Sequence, residues 1–151
     1  MCRGRKMTTP RRLSEEGGAV HSVRVPATAA SVRGVRALLR RELADLPTSV
    51  RDDVVLVASE LFCNALQHGR RLDDGMLEVC WDVTPDGVQL AVVDGGGPTL
   101  PAVQDVGTTA TAGRGLSIVA RLVSRWGVDR QPGRTMVWAI VPIQQPERVC
   151  C

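Results

Sequence analysis

Val88-Gln89-Leu90-Ala91-Val92-Val93-Asp94-Gly95-Gly96-Gly97 is an apolar, strand-like run that ends in a carboxylate and three successive glycines. Glycine permits unusual backbone angles and lets other groups approach closely, so the chain after Asp94 can wrap around a flat polar ring. An ionised carboxylate only accepts hydrogen bonds. Asp94 therefore suits an exocyclic amino group, which adenine offers where guanine carries a carbonyl. Guanine would set two acceptors face to face, a costly mismatch when buried. Asp-Gly is also a common turn pair, so the motif takes its meaning from what flanks it.

Upstream, Thr48 or Ser49 starts a helical pattern that Gly69 stops. Val54, Val55, Ala58, Leu61, Phe62, Ala65 and Leu66 fill one arc of it. Asp53, Glu60, Asn64 and Gln67 fall within about 40° of one another on a second arc. That arc reads either as the wet face of an amphipathic helix or as a site. An Asn amide oxygen can join phosphate oxygens and waters around Mg²⁺, which takes few protein ligands. A Glu one turn earlier can orient or deprotonate an attacking hydroxyl or water. His68 suits the negative end of the helix dipole. Further upstream, Thr28 is positioned to cap a helix running to about Asp45, before which His21 to Val25 reads as an edge strand.

Met76 to Val83 alternates, with Leu77, Val79, Trp81 and Val83 on one side, and Pro85-Asp86-Gly87 turns it back into the Val88–Val93 strand. Residues 94–113 carry Gly, Pro, Thr and Ala without periodicity, the mark of a lid or binding loop. Gly113-Arg114-Gly115-Leu116 then opens a helix predicted over Gly115 to Arg125. Free N–H groups and the positive dipole end suit that position to phosphates, with Arg114 adding charge. Trp126 to Val128 and Thr135 to Val141, joined through Gln131-Pro132-Gly133, form a closing hairpin, and Thr135 is positioned to offer a hydroxyl to the ring held by Asp94. Helices segregated from hairpin-linked strands give an α+β two-layer sandwich, with a mixed, mostly antiparallel sheet and three main helices on one face.

Composition narrows the classes. The 151 residues hold one lysine, Lys6, so a Walker P-loop and a large eukaryotic-type kinase strand lysine are both excluded. The net charge of +3 is carried by Arg3, Arg5, Lys6, Arg11 and Arg12, and without the first 12 residues the chain stands at −2. The basic excess is therefore a tail over residues 1–18, not a nucleic-acid patch on the predicted domain at 19–143; residues 144–151 form a second tail. One Phe, three Trp and no Tyr leave few stacking rings for single strands. Five cysteines, an odd number without a Cys-x-x-Cys pair, argue against zinc and disulfides and for a cytoplasmic, reduced chain. No apolar run is long enough to span a membrane.

Taken in order, the three boxes resemble the GHKL ATP-binding superfamily (the Bergerat fold), and within it the stand-alone serine kinases that act as anti-sigma factors. The likeness spans residues 20–142. Glu60-x-x-x-Asn64-Ala65 is similar to the N box, Asp94-x-Gly96 to the first glycine box and Gly113-x-Gly115-Leu116 to the second. Arg134-Thr135-Met136-Val137-Trp138 resembles the family's closing strand. The resemblance implies ATP as ligand, Mg²⁺ on Asn64, Glu60 as catalytic base, Asp94 and Thr135 on adenine, and Gly113 and Gly115 around phosphates. It further implies a STAS-type anti-anti-sigma protein and a sigma factor as partners, with a homodimer expected by analogy. An adenine-nucleotide-binding module without phosphotransfer and a detached histidine-kinase-like catalytic domain are the alternatives. One position departs from the family: Pro98 stands where Asp-x-Gly-x-Gly has its last glycine, and proline removes an N–H and fixes φ.

Overall fold

The computed structural model describes residues 20–97 and 113–143. Five strands, β1 (His21–Pro26), β2 (Met76–Thr84), β3 (Gly87–Asp94), β4 (Arg125–Gln131) and β5 (Arg134–Val141), form one sheet in the order β1-β2-β3-β5-β4. Every pairing among them is antiparallel. The helices are α1 (Ser31–Glu42), α2 (Thr48–His68) and α3 (Gly113–Leu122).

Strand alternation divides the sheet into two faces. Leu77, Val79 and Trp81 of β2, Val88, Leu90 and Val92 of β3, and Val137, Ala139 and Val141 of β5 share one core cluster with Val35 and Leu39 of α1, Phe62 of α2 and Val119 of α3. Cys80, Ala91, Trp138 and Ile140, with Met136 against them, form a smaller cluster. The α+β sandwich expected from the sequence is the one observed, with α1, α2 and α3 all contributing to the core on the first face. Val83, placed by alternation with Leu77, Val79 and Trp81, is 47% exposed and stays outside that core.

α2 spans 21 residues and is the central helix. It packs against α1, β3, α3 and β5, and this explains why its buried set (Val50, Val54, Val55, Val57, Ala58, Ser59, Leu61, Phe62 and Ala65) covers more than one stripe. Pro47 begins it with extended ψ, and Gly69 ends it with its N–H donating to the Ala65 carbonyl. α1 is shorter than the spacing predicts. It begins after Ala30 with no side-chain cap. The Thr28 side chain meets the Ser31 hydroxyl at 3.2 Å, and the Thr28 carbonyl accepts the Ser31 N–H at 3.1 Å. α3 is shifted towards its N-terminus relative to the predicted Gly115–Arg125, because Ser124 already turns into β4 with its N–H donating to the Ile140 carbonyl.

Candidate functional site

Asp94 is the last residue of β3 and is 4% exposed. Its Oδ1 accepts a hydrogen bond from the Gly96 N–H at 2.7 Å, closing a tight turn in which Gly96 has φ +82°. Thr135, 5% exposed, is its cross-strand partner on β5. A buried carboxylate and a buried hydroxyl thus face the helices from adjacent strands. Burial pushes the Asp94 carboxyl above the ordinary carboxylate range, while the Gly96 N–H and the Arg130 charge pull it back down.

The floor of this site is the end of α2. A Cβ on Gly69 would lie 2.3 Å from Asp94 Oδ2, and one on Gly97 would lie 2.9 Å from the His68 carbonyl. Gly95 donates its N–H to the Arg70 carbonyl at 2.7 Å, and a Cβ there would lie 2.2 Å from the Arg71 carbonyl. On the other side, a Cβ on Gly96 would come within 3.5 Å of the Arg134 nitrogen and 3.8 Å of Thr135 Oγ1. The loop after Asp94 is therefore wedged between the α2 terminus and the β4–β5 turn. On the α2 side only glycine fits so closely at positions 69, 95 and 97, and at Gly96 the positive φ is what favours glycine.

Glu60 and Asn64 are half-buried on α2. At about 1.5 Å of rise per residue, Asn64 lies about 7 Å and Glu60 about 13 Å back along the helix axis from Gly69. Between them Cys63 is half-buried, its thiol pushed up by burial first, then by the Glu60 charge, with Arg36 opposing. Arg36 of α1 crosses to α2, donating from Nε to Ser59 Oγ at 2.7 Å. Gly113, Arg114, Gly115 and Leu116 form the first turn of α3, which packs against α2. The side chains of Arg114 and Leu116, the body of the proposed lid with Pro98, and both tails lie outside the described residues.

The family model for the histidine kinase-like ATPase domain matches residues 25–141. The chain belongs to the histidine kinase-like ATPase family. That match includes every box from Glu60 to Thr135, and it implies ATP as the ligand. This ATPase domain is also similar to the crystal structure of the RsbU and RsbW domains of Rv1364c from Mycobacterium tuberculosis, at 26% identity and a TM-score of 0.60. The likeness covers 87% of this chain and 35% of that one, so this chain spans about a third of the other's length. No curated protein matches. No described helix is long and apolar enough to cross a membrane.

The described residues hold no group of three or more His, Cys, Asp or Glu side chains able to cage a metal. Mg²⁺ keeps waters and substrate phosphates in its shell and needs only one or two protein oxygens. Asn64, half-buried on α2, carries an amide oxygen of the type such a shell accepts. Two contributors to the site escape the sequence. Gly69 reads there as a helix stop, although its missing Cβ is what admits the Asp94 carboxylate. Arg130 carries no motif, and only the β4–β5 register aligns it with Thr135.

Proposed function

We propose that this ATPase domain is a Mg-ATP-dependent protein serine kinase that acts as an anti-sigma factor, phosphorylating a STAS-type anti-anti-sigma partner. The observation that carries the reading is the ordering along α2. The amino-group acceptor Asp94 meets the helix at Gly69, the candidate metal ligand Asn64 lies about 7 Å back, and the candidate base Glu60 about 13 Å back. A nucleotide laid along this axis presents base, phosphates and terminal phosphoryl group in the same order. The similarity to a structure containing an RsbW domain supports the choice of a regulatory kinase over a two-component one.

In this reading Asp94 and Thr135 orient the adenine, and the N-terminal turn of α3 at Gly113 and Gly115 holds phosphate oxygens with its free N–H groups. Mg²⁺ held by Asn64 would neutralise charge on the phosphates. Glu60 takes the proton of the partner's serine hydroxyl as its oxygen bonds to the γ-phosphorus, the bond to the β-phosphate oxygen breaks, and ADP leaves. Pro98 in the first glycine box favours a second reading, a module that binds adenine nucleotide without transferring phosphate.

Incubation of the chain with labelled Mg-ATP and STAS-type proteins, with mass spectrometry for phosphoserine, separates the two. Glu60→Ala is expected to keep ATP affinity and lose transfer by roughly 10²–10⁴-fold, the range of general-base catalysis. Wild-type ATP binding without any phosphoserine contradicts the kinase reading and leaves the binding module. Full activity in Glu60→Ala removes Glu60 from the mechanism.

A further inference from the structure

β4 brings to the nucleobase end of the site a residue that no motif contains. Asp94 pairs with Thr135 across β3 and β5, and Thr135 pairs with Arg130 across β5 and β4. Directly opposed residues of antiparallel strands point to the same face. Asp94 follows the alternation of Leu90 and Val92, Thr135 that of Val137 and Ala139, and Arg130 that of Trp126 and Val128, all of which pack in or against the helix-side core. Asp94, Thr135 and Arg130 thus occupy one row across three strands. The Asp94–Gly96 turn closes against the Gly133–Thr135 end of the same hairpin, so Arg130 flanks the wall of the site.

We propose that Arg130 is a positioning residue of the nucleobase pocket, acting from the end of this cross-strand row to hold Asp94 as a carboxylate and so to extend adenine recognition to lower pH. The proposal rests on the nucleotide reading given above. Its chemistry is direct. A protonated Asp94 presents an O–H where the adenine amino group needs an acceptor. Burial favours that protonated form, and the Gly96 N–H and the Arg130 charge oppose it.

The other groups packed around Asp94 act differently. His68, Arg70 and Arg71 meet its loop through their carbonyl oxygens. Arg134 directs its guanidinium to Glu78 at 3.7 Å. Glu78 pairs with Val93, on the opposite side of β3 from Asp94. Thr135 is uncharged. Among the described residues, the Arg130 charge pulls the Asp94 carboxyl down, behind burial and the Gly96 N–H in size. It is exposed, so its influence is that of a screened surface charge and not of a buried ion pair.

The sign follows from Asp94. As pH falls through the carboxyl's titration, the acceptor is lost and nucleotide affinity falls with it. Removing Arg130 moves that loss to higher pH. The test is a pair of titrations on wild type, Arg130→Gln and Arg130→Lys. One follows the Asp94 carboxyl carbon by NMR without nucleotide, assigned with Asp94→Asn. The other measures metal-free ADP affinity by calorimetry across the same pH range. Arg130→Gln is expected to move the Asp94 titration upward and to weaken ADP about two- to fivefold at the acid end, the range for one exposed charge. The deficit shrinks as pH rises, and Arg130→Lys restores the wild-type profile. An unmoved Asp94 titration overturns the proposal. So does a loss of ADP affinity that is equal at every pH, which identifies a direct contact instead. Wild-type protein without ADP affinity refutes the nucleotide reading itself, and the wild-type titration alone tells that failure from the other two.

Discussion

Replacing Gly69 with alanine puts a methyl carbon where the Asp94 carboxylate already lies. An ideal Cβ at that position is 2.3 Å from Asp94 Oδ2, 2.6 Å from its Cγ and 2.7 Å from the Ala65 carbonyl oxygen, and real contacts are wider by about 1 Å. Neither neighbour gives easily. The Ala65 carbonyl accepts the N–H that ends α2, and the carboxylate is 4% exposed with Oδ1 held by Gly96. Overpacking of this kind costs about 1–3 kcal/mol of stability. If the carboxylate swings aside, the charge-assisted bond from Gly96, worth about 1.5–3 kcal/mol, is strained or lost as well. A displaced Asp94 also misses the adenine amino group, so ADP affinity should fall by roughly tenfold or more. Gly34 supplies the control, because beyond its chain neighbours and its own helix backbone no atom lies within 4 Å of a Cβ added there, and it sits inside α1. Gly34→Ala should raise stability by about 0.5–1 kcal/mol and leave ADP binding alone. Urea unfolding and calorimetry on both variants decide the matter. Wild-type stability and ADP affinity in Gly69→Ala would refute the claim that the α2 terminus positions Asp94.

Asn64→Ala should weaken Mg-ATP binding far more than metal-free ADP binding, and an equal loss for both ligands in calorimetry would remove Asn64 as the metal ligand. Gly127→Ala should cost about 1–3 kcal/mol in urea unfolding and alter tryptophan fluorescence, because its Cβ would fall 2.6 Å from Trp138 Cζ2. Burial raises the Cys80 thiol to about 11, with Glu78 adding to the shift and Arg134 opposing it. Its folded value thus stands above the ordinary 9.0, so the native state holds this proton longer than the unfolded chain. The stability it contributes is complete below about pH 9 and lost as pH rises towards 11. Cys80→Ala should flatten unfolding free energy against pH in that window, and an unchanged slope would count against the burial of this thiol.

The sequence is most readable where periodicity and punctuation agree. Leu77, Val79 and Trp81 alternate, Pro85-Asp86-Gly87 turns the chain, and the β2–β3 hairpin follows. β4 is longer than Trp126 to Val128 because Arg125, Arg130 and Gln131 are exposed polar residues of an edge strand, where hydrophobic alternation fades. α3 begins at Gly113, inside what reads as loop, since glycine carries almost no helical signal of its own. Thr28 is the right residue type for a cap but sits too early, and Ala30 takes the position in a helical conformation. The site divides in the same way. Asp94, Gly96 and Thr135 are visible as motif residues, and the structure sets Thr135 opposite Asp94. The reason Gly69 is glycine and the alignment of Arg130 with Asp94 both arise from pairings between segments far apart in the chain, which no local pattern encodes.

Everything proposed for the site depends on the carboxylate at the end of β3 selecting an adenine amino group. That selection is tested most directly by titrating ADP and GDP, separately and without metal, into wild type and Asp94→Asn. Wild type is expected to prefer ADP clearly, and Asp94→Asn, where an amide N–H faces the amino group, to lose about 2 kcal/mol or more of ADP affinity. Equal affinities for ADP and GDP, or an Asp94→Asn variant that binds ADP as wild type does, would contradict it.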